Sequence, residues 1–505
     1  MLNAVKSSFK ETLIYGLGNV AVKLVGLILI PLYTDPKYFS VNDFGMLALL
    51  EICALVLTAF MASALPQSLV RWYWDENHRN NQKGIFFMSM STQVIVSLVF
   101  CILLIPLSSS FSEMIFGNAD LEKVLVLVIL SSAFQAVNNI LNTLMRLQSR
   151  SVLYSVSNLA KLVLVLVTTL YLIIHEGMGL EGIFLSQVIG NSVIILMLAG
   201  YTIKNSKLFF DMRILASMNA YGFPLLLANI SAAALSVIDR FALNSMSVLK
   251  SVALYTLAFK LTSVLKLVLA DSIKLSVGPM MIRRMYTPDN KRFYSKVLLY
   301  SSFLIMFAVV GISAFSYEAI KILADSKEFW GAVKIVPILA LSVFFINMKE
   351  ITVYGLHISK KTKIIGMIVV FSTIASLLLN LLFIPVWDIT GAAIATLTTQ
   401  ILYWLACHYF SQKSFFVPYE LRKILILLIA GMSLSFLCQM FNDMNLLPRL
   451  ILKTACFVSF PFVLLLFNFY EKIELQYITG FFRKWSDLSH LGENLKSLKN
   501  LKDEV

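Results

Sequence analysis

Asp239, Arg240 and Lys260 stand inside or at the edge of two apolar runs of membrane-spanning length, between residues 220 and 261. A charge at the centre of a bilayer costs about 2.5 kcal/mol or more, so three such groups in one short stretch must be hidden from lipid. A water-filled space between helices would hide them, and a wet space inside a membrane protein implies transport. The chemistry open to an arginine and a lysine beside an aspartate is ion pairing and the holding of an anion through charge-assisted hydrogen bonds.

More such residues lie along the chain. Lys23 falls near the middle of an apolar run, about 16 Å from either end at 1.5 Å per residue, farther than a lysine stem can snorkel. Tyr15, Asn19 and Lys23 recur every four residues and form one stripe, read as facing a lumen; the other reading makes Lys23 an ion-pair partner of Glu51. Asn229, Ser236 and Arg240 share a helical face, while Asp239 lies about 100° round and is expected to have a different partner. Lys260, Leu267, Asp271 and Lys274 fall on one narrow face; Asp271 and Lys274 are spaced to pair across a turn, which leaves Lys260 the freer cation. Polar stripes occur at Gln135, Asn138 and Asn142 and at Gln187 and Asn191. Such amides hydrogen-bond sugar hydroxyls or join helices. Lys161, Lys349 and Glu350 lie nearer span ends, where snorkelling is expected.

The elements that must position these groups are transmembrane helices. The 505 residues are 58% hydrophobic and 14% charged, with a mean hydropathy of +0.81, which describes an all-α polytopic membrane protein. At about 20 residues per crossing, roughly fourteen spans fall near 12–33, 42–64, 84–106, 121–142, 153–174, 180–202, 219–241, 252–278, 296–316, 331–355, 363–384, 388–410, 421–440 and 448–470. The net charge of +14 resides mostly in short loops. With the N-terminus inside, about 27 Lys and Arg fall on the inner side and about six outside, so both termini are expected in the cytoplasm. No contiguous basic surface is left for nucleic acid.

Tyr15-Gly16 recurs as Tyr221-Gly222, Leu147-Gln148 as Leu356-His357, and the Leu180–Ile183 stretch as 389–392, all at nearly one offset. An offset of six helices implies two six-helix lobes in a parallel repeat, 1–205 and 206–412. Residues 413–470 add two further helices, apolar enough to face lipid all round, and 471–505 form a cytoplasmic tail. The five cysteines lie in apolar runs without CxxC spacing, and no metal site is expected. The absence of a GxxxxGK[ST] loop excludes ATP hydrolysis by that route. Short loops leave no room for a catalytic domain, so no catalytic residues are assigned.

Pro31-Leu32-Tyr33-Thr34 with Phe44-Gly45, Asp239-Arg240 before Ala253-Leu254-Tyr255 and Lys260, and 380–385 running into 391–396 occur in an order that resembles the polysaccharide-biosynthesis flippases. These belong to the multidrug/oligosaccharidyl-lipid/polysaccharide (MOP) exporter superfamily, whose O-antigen branch moves undecaprenyl-pyrophosphate-linked sugars. The resemblance implies two rocking lobes, alternating access and a lipid-linked oligosaccharide as the partner. Lys23, Arg240 and Lys260, with Asn19 and Asn229, would draw in the pyrophosphate headgroup. No cofactor is implied; coupling to an H+ or Na+ gradient would involve Asp239, Asp271 or Glu51. The expected location is the bacterial inner membrane, among lipids and other polysaccharide-assembly proteins, with the oligomeric state open and a monomer compatible. A MATE-like ion-coupled drug antiporter and a polysaccharide polymerase or ligase are the alternatives.

Overall fold

In a computed structural model, the structure describes residues 26, 28–75, 80–117, 119–472 and 474–476. Among them there is no β-strand, and twelve helices are long and apolar enough to cross a membrane. The protein is a multi-pass membrane protein. One of the twelve, Thr362–Ser414, breaks at Asp388 (φ 48°) and covers two of the predicted spans. The expected span 12–33 and the expected tail lie mostly outside the described residues, as do Tyr15, Asn19 and Lys23.

The chain begins a long helix, α1 (Val41–Ala62), with a capping box: Ser40 Oγ accepts from the Asp43 N–H at 3.1 Å and Asp43 returns the bond to the Ser40 N–H at 2.8 Å. Ser63 and Ala64, both in the left-handed region, end it before α2 (Leu65–Tyr73). There follow α3 (Gln82–Leu104), α4 (Glu122–Leu147), α5 (Ser151–Ile174) and α6 (Gly179–Met197). These pack among themselves, α4 at the centre against α1, α3 and α6, and α5 against α6.

A second set begins with α7 (Met212–Leu235), which carries Pro224 inside it. The predicted span 219–241 stops early: the chain turns at Ser236 and Val237, so Asp239 and Arg240 stand on a separate short helix, α8 (Ile238–Met246). Next come α9 (Leu249–Leu265), a π-helical turn (Lys266–Ala270), α10 (Asp271–Arg283), α11 (Asn290–Ala314), α12 (Ser316–Leu323), α13 (Val336–Thr352) and α14, the kinked Thr362–Ser414. The last two are α15 (Leu421–Gln439) and α16 (Leu446–Leu466).

The π turn corrects the expected narrow face of the eighth span. One extra residue rotates everything downstream by about 100°, so Lys260 does not share a stripe with Asp271 and Lys274. The final helices also differ from expectation. They do not face lipid all round: Ile424, Leu427, Phe460 and Leu464 are buried in a core shared with α11 and α13. Lys453 on α16 is fully buried, held by Glu318 of α12 at 2.8 Å together with Arg449.

The two sets meet through α9 on α1 and through α7 on α1 and α2. One end of this seam is sealed by a single apolar core drawn from both sets, including Phe44, Leu47, Val252, Ala253, Phe329 and Ala392. Phe44 and Phe329 meet edge-on at 5.4 Å, and the Thr34 hydroxyl donates to the Leu323 carbonyl at 2.8 Å. At the other end Ser68 of α2 donates to the Met218 carbonyl of α7 at 2.9 Å.

Candidate functional site

Lys260 projects from α9 toward α1, and its ammonium lies 2.9 Å and 3.0 Å from the two carboxylate oxygens of Glu51. The pair therefore joins the two sets. It is partly exposed: the side chains are 18% and 36% accessible. Phe44 contributes its ring face 5.5 Å from the same ammonium. Sequence reasoning offered Lys23 as the partner of Glu51; Lys23 is outside the described residues, and Lys260 takes that carboxylate.

Glu51 also lines a partly open cavity of about 480 Å³ in the N-terminal set. Its walls carry Thr58 of α1, Ser131, Ser132 and Gln135 of α4, Asn158 and Lys161 of α5, and Gln187 and Asn191 of α6. Lys161 does not snorkel as expected; its ammonium donates to the Gln135 side-chain carbonyl. The amide stripes divide into two roles. Asn138 donates to Asn191 across α4 and α6 at 3.1 Å, which joins helices, whereas Gln135 faces the cavity.

Asp239 and Arg240 form a second centre. Their adjacency predicted separate partners, and each has its own besides the contact they make with each other: at the first turn of α8 the carboxylate folds back to accept the Arg240 N–H at 2.9 Å, and the guanidinium Nε lies 3.5 Å from it. A helix start leaves backbone N–H groups free for such an acceptor. The Tyr255 hydroxyl donates to the other Asp239 oxygen and lies 2.9 Å from the Thr396 hydroxyl. Arg240 also donates to the Ser236 carbonyl at 2.6 Å and stacks 4.3 Å from the Phe259 ring centroid. Both charges are buried. Tyr255 entered the sequence reading only within the Ala253-Leu254-Tyr255 segment and without a site role, because a tyrosine in an apolar run carries no signal of what its hydroxyl meets.

Asn229 lies half-buried on α7, and Asp271 opens α10 directly after the π turn. Lys274 reaches Glu350 of α13 at 2.8 Å, and Lys349 bonds the same carboxylate. The structure thus joins Glu51 with Lys260 and Asp239 with Arg240, while Lys23 and Asn19 lie outside the described residues. Among the described residues no cluster of His, Cys, Asp and Glu could hold a metal ion.

The sequence profile of a family described as "Polysaccharide biosynthesis protein" matches residues 38–331, more than half of the chain. The chain belongs to the polysaccharide biosynthesis protein family. No curated protein matches it. Among solved structures, this family member is similar to the lipid II flippase MurJ in an inward closed conformation, with a TM-score of 0.70 and 16% identity over 89% of this chain and 98% of the other. An inward-facing multidrug resistance MATE family transporter of the MOP superfamily gives 0.65 and 14%, over 82% and 95%. A MOP superfamily transporter from Pyrococcus furiosus gives 0.58 and 15%, over 81% and 95%. At these identities the likeness establishes the fold, which is that of the MOP transporters.

Proposed function

We propose that this family member is a flippase that moves an undecaprenyl-pyrophosphate-linked oligosaccharide, an O-antigen or similar repeat unit, from the cytoplasmic to the external leaflet. The observation that carries the reading is the Glu51–Lys260 pair, a partly exposed charge pair across the seam of a polysaccharide-family protein. The sets rock as two lobes about this seam. Lys260 receives the anionic pyrophosphate; Lys23, Asn19 and Asn229 are the further residues assigned to it from the sequence, and the prenyl tail stays in lipid. Arg240, held by Asp239, acts from the margin of the path. Glu51 and Asp239, the carboxylates that face these cations, and Asp271 are the groups through which an H+ or Na+ gradient would act. The surrounding membrane is the bacterial inner membrane, with both termini and the basic loops in the cytoplasm.

The test is deletion of the gene followed by assay of lipid-linked oligosaccharide on the inner leaflet. Accumulation that is reversed by the wild-type chain and not by Lys23→Ala or Lys260→Ala variants, inserted at normal levels, supports the reading. Full complementation by both variants ends the cationic-passage mechanism. A drug antiporter of the same fold predicts instead altered efflux and no accumulation.

A further inference from the structure

We propose that the cavity walled by α1, α4, α5 and α6 binds an acidic sugar, a saccharide unit bearing a carboxylate. The proposal rests on the flippase reading and names the substrate class within it. Its volume of about 480 Å³ falls in the range of small-ligand pockets and exceeds the need of a bare phosphate.

The charge on the wall points to an anion. Lys161 and Glu51 are the charged residues of the lining, and Glu51 is already neutralised by Lys260. Lys161 forms no salt bridge among the described residues; its bond there is to the neutral Gln135 side chain. An ammonium has three N–H donors, so the amide leaves two for a ligand. A cation away from bulk water without an anionic partner is costly, and a ligand carboxylate removes that cost. Gln135 is itself held in place, since its own NH₂ donates to Asn139 Oδ1 at 3.0 Å, which turns its carbonyl toward Lys161.

The remaining wall suits a sugar ring. The Gln187 amide and the Thr58 hydroxyl line the cavity and have no hydrogen-bond partner among the described residues, so both are available to ring hydroxyls. Leu55, Leu162 and Val165 offer an apolar surface for the C–H face of a pyranose.

Ligand-observed NMR on the full chain in lipid nanodiscs tests this with methyl glucuronide, methyl glucoside and inorganic phosphate as probes. The glucuronide is expected to bind at least tenfold tighter than the glucoside, and phosphate is expected not to displace it at equal concentration. Lys161→Gln is expected to lose that tenfold preference and Lys161→Arg to keep it, with unchanged thermal unfolding of both variants. Equal binding of the two glycosides, displacement by phosphate, or an intact preference in a folded Lys161→Gln protein overturns the proposal. The flippase reading fails separately: it falls if deletion causes no accumulation of lipid-linked oligosaccharide, whatever the glycosides do.

Discussion

Lys260 and Glu51 are 209 residues apart and come within 2.9 Å, so the ammonium of one helix set is the counter-charge of the other. A partly wet pair of this kind is worth about 1 kcal/mol or less. That is too little to hold the fold and enough to bias a two-state equilibrium about fivefold. The pair is suited to be made and broken in a transport cycle.

Removing it should move the seam rather than unfold the protein. Lys260→Ala or Glu51→Gln is expected to shift the distribution of spin-label distances between α1 and α9 toward separation. The reversed pair, Glu51→Lys with Lys260→Glu, is expected to restore the parent distribution. Double electron–electron resonance in nanodiscs reads this, and an unchanged distribution in both single variants would remove the latch role.

Gly45 sets how closely the sealed end can pack. A Cβ there would lie 2.4 Å from the Leu249 carbonyl oxygen, a backbone atom that cannot swing aside. Gly45→Val is expected to cost about 1–3 kcal/mol of that closed packing and to expose a cysteine placed at Leu47 to a membrane-impermeant thiol reagent. Leu47 is buried in the parent, so the labelling rate is the readout.

Glu318 stands between two buried cations, Arg449 at 2.8 Å and Lys453 at 2.8 Å. Glu318→Gln leaves both without their anion, a change expected to cost about 3–5 kcal/mol. Lys453→Met leaves Arg449 still paired and should cost less. Thermal unfolding in detergent gives the order, and equal or reversed losses would contradict the buried-triad account.

A pH dependence follows at the basic end of α11, where Lys296 meets Glu420 at 2.7 Å and also bonds Glu471. Burial pushes the Glu420 carboxyl up, but bonds from Lys296 and Lys423 outweigh it and hold the group below its usual range. Glu471 is lowered chiefly by its bond from Lys296. Groups with depressed folded values contribute stability above their unfolded pKa, about 4.3, and lose it as pH falls further toward the folded values. Amide protection factors of residues 469–472 and 474–476, with intrinsic exchange divided out, should therefore hold at neutral pH and fall below about pH 4.3, and Lys296→Met should shrink that pH step, leaving the part that Lys423 supports.

The amino-acid sequence by itself determined the helical membrane class and most of the spans, because apolar length is a local property. It also marked Glu51, Asp239, Arg240 and Lys260 as residues that lipid would reject. Which charge meets which was decided only by tertiary structure. Helical phase places Lys260 on a face, but its counter-ion sits on a helix 209 residues away, and no spacing rule reaches across two packed sets. Phase itself failed where the backbone departed from the α-helix, at the π turn of 266–270 and at the break before α8. Lys161 looked like a surface-seeking lysine, and nothing in the sequence named a partner for Lys453, because a stem of four carbons carries the same signature whether it reaches water or a buried acceptor. Packing supplied Gln135 to the one and Glu318 to the other, and so turned two unremarkable lysines into parts of a cavity wall and a helix anchor.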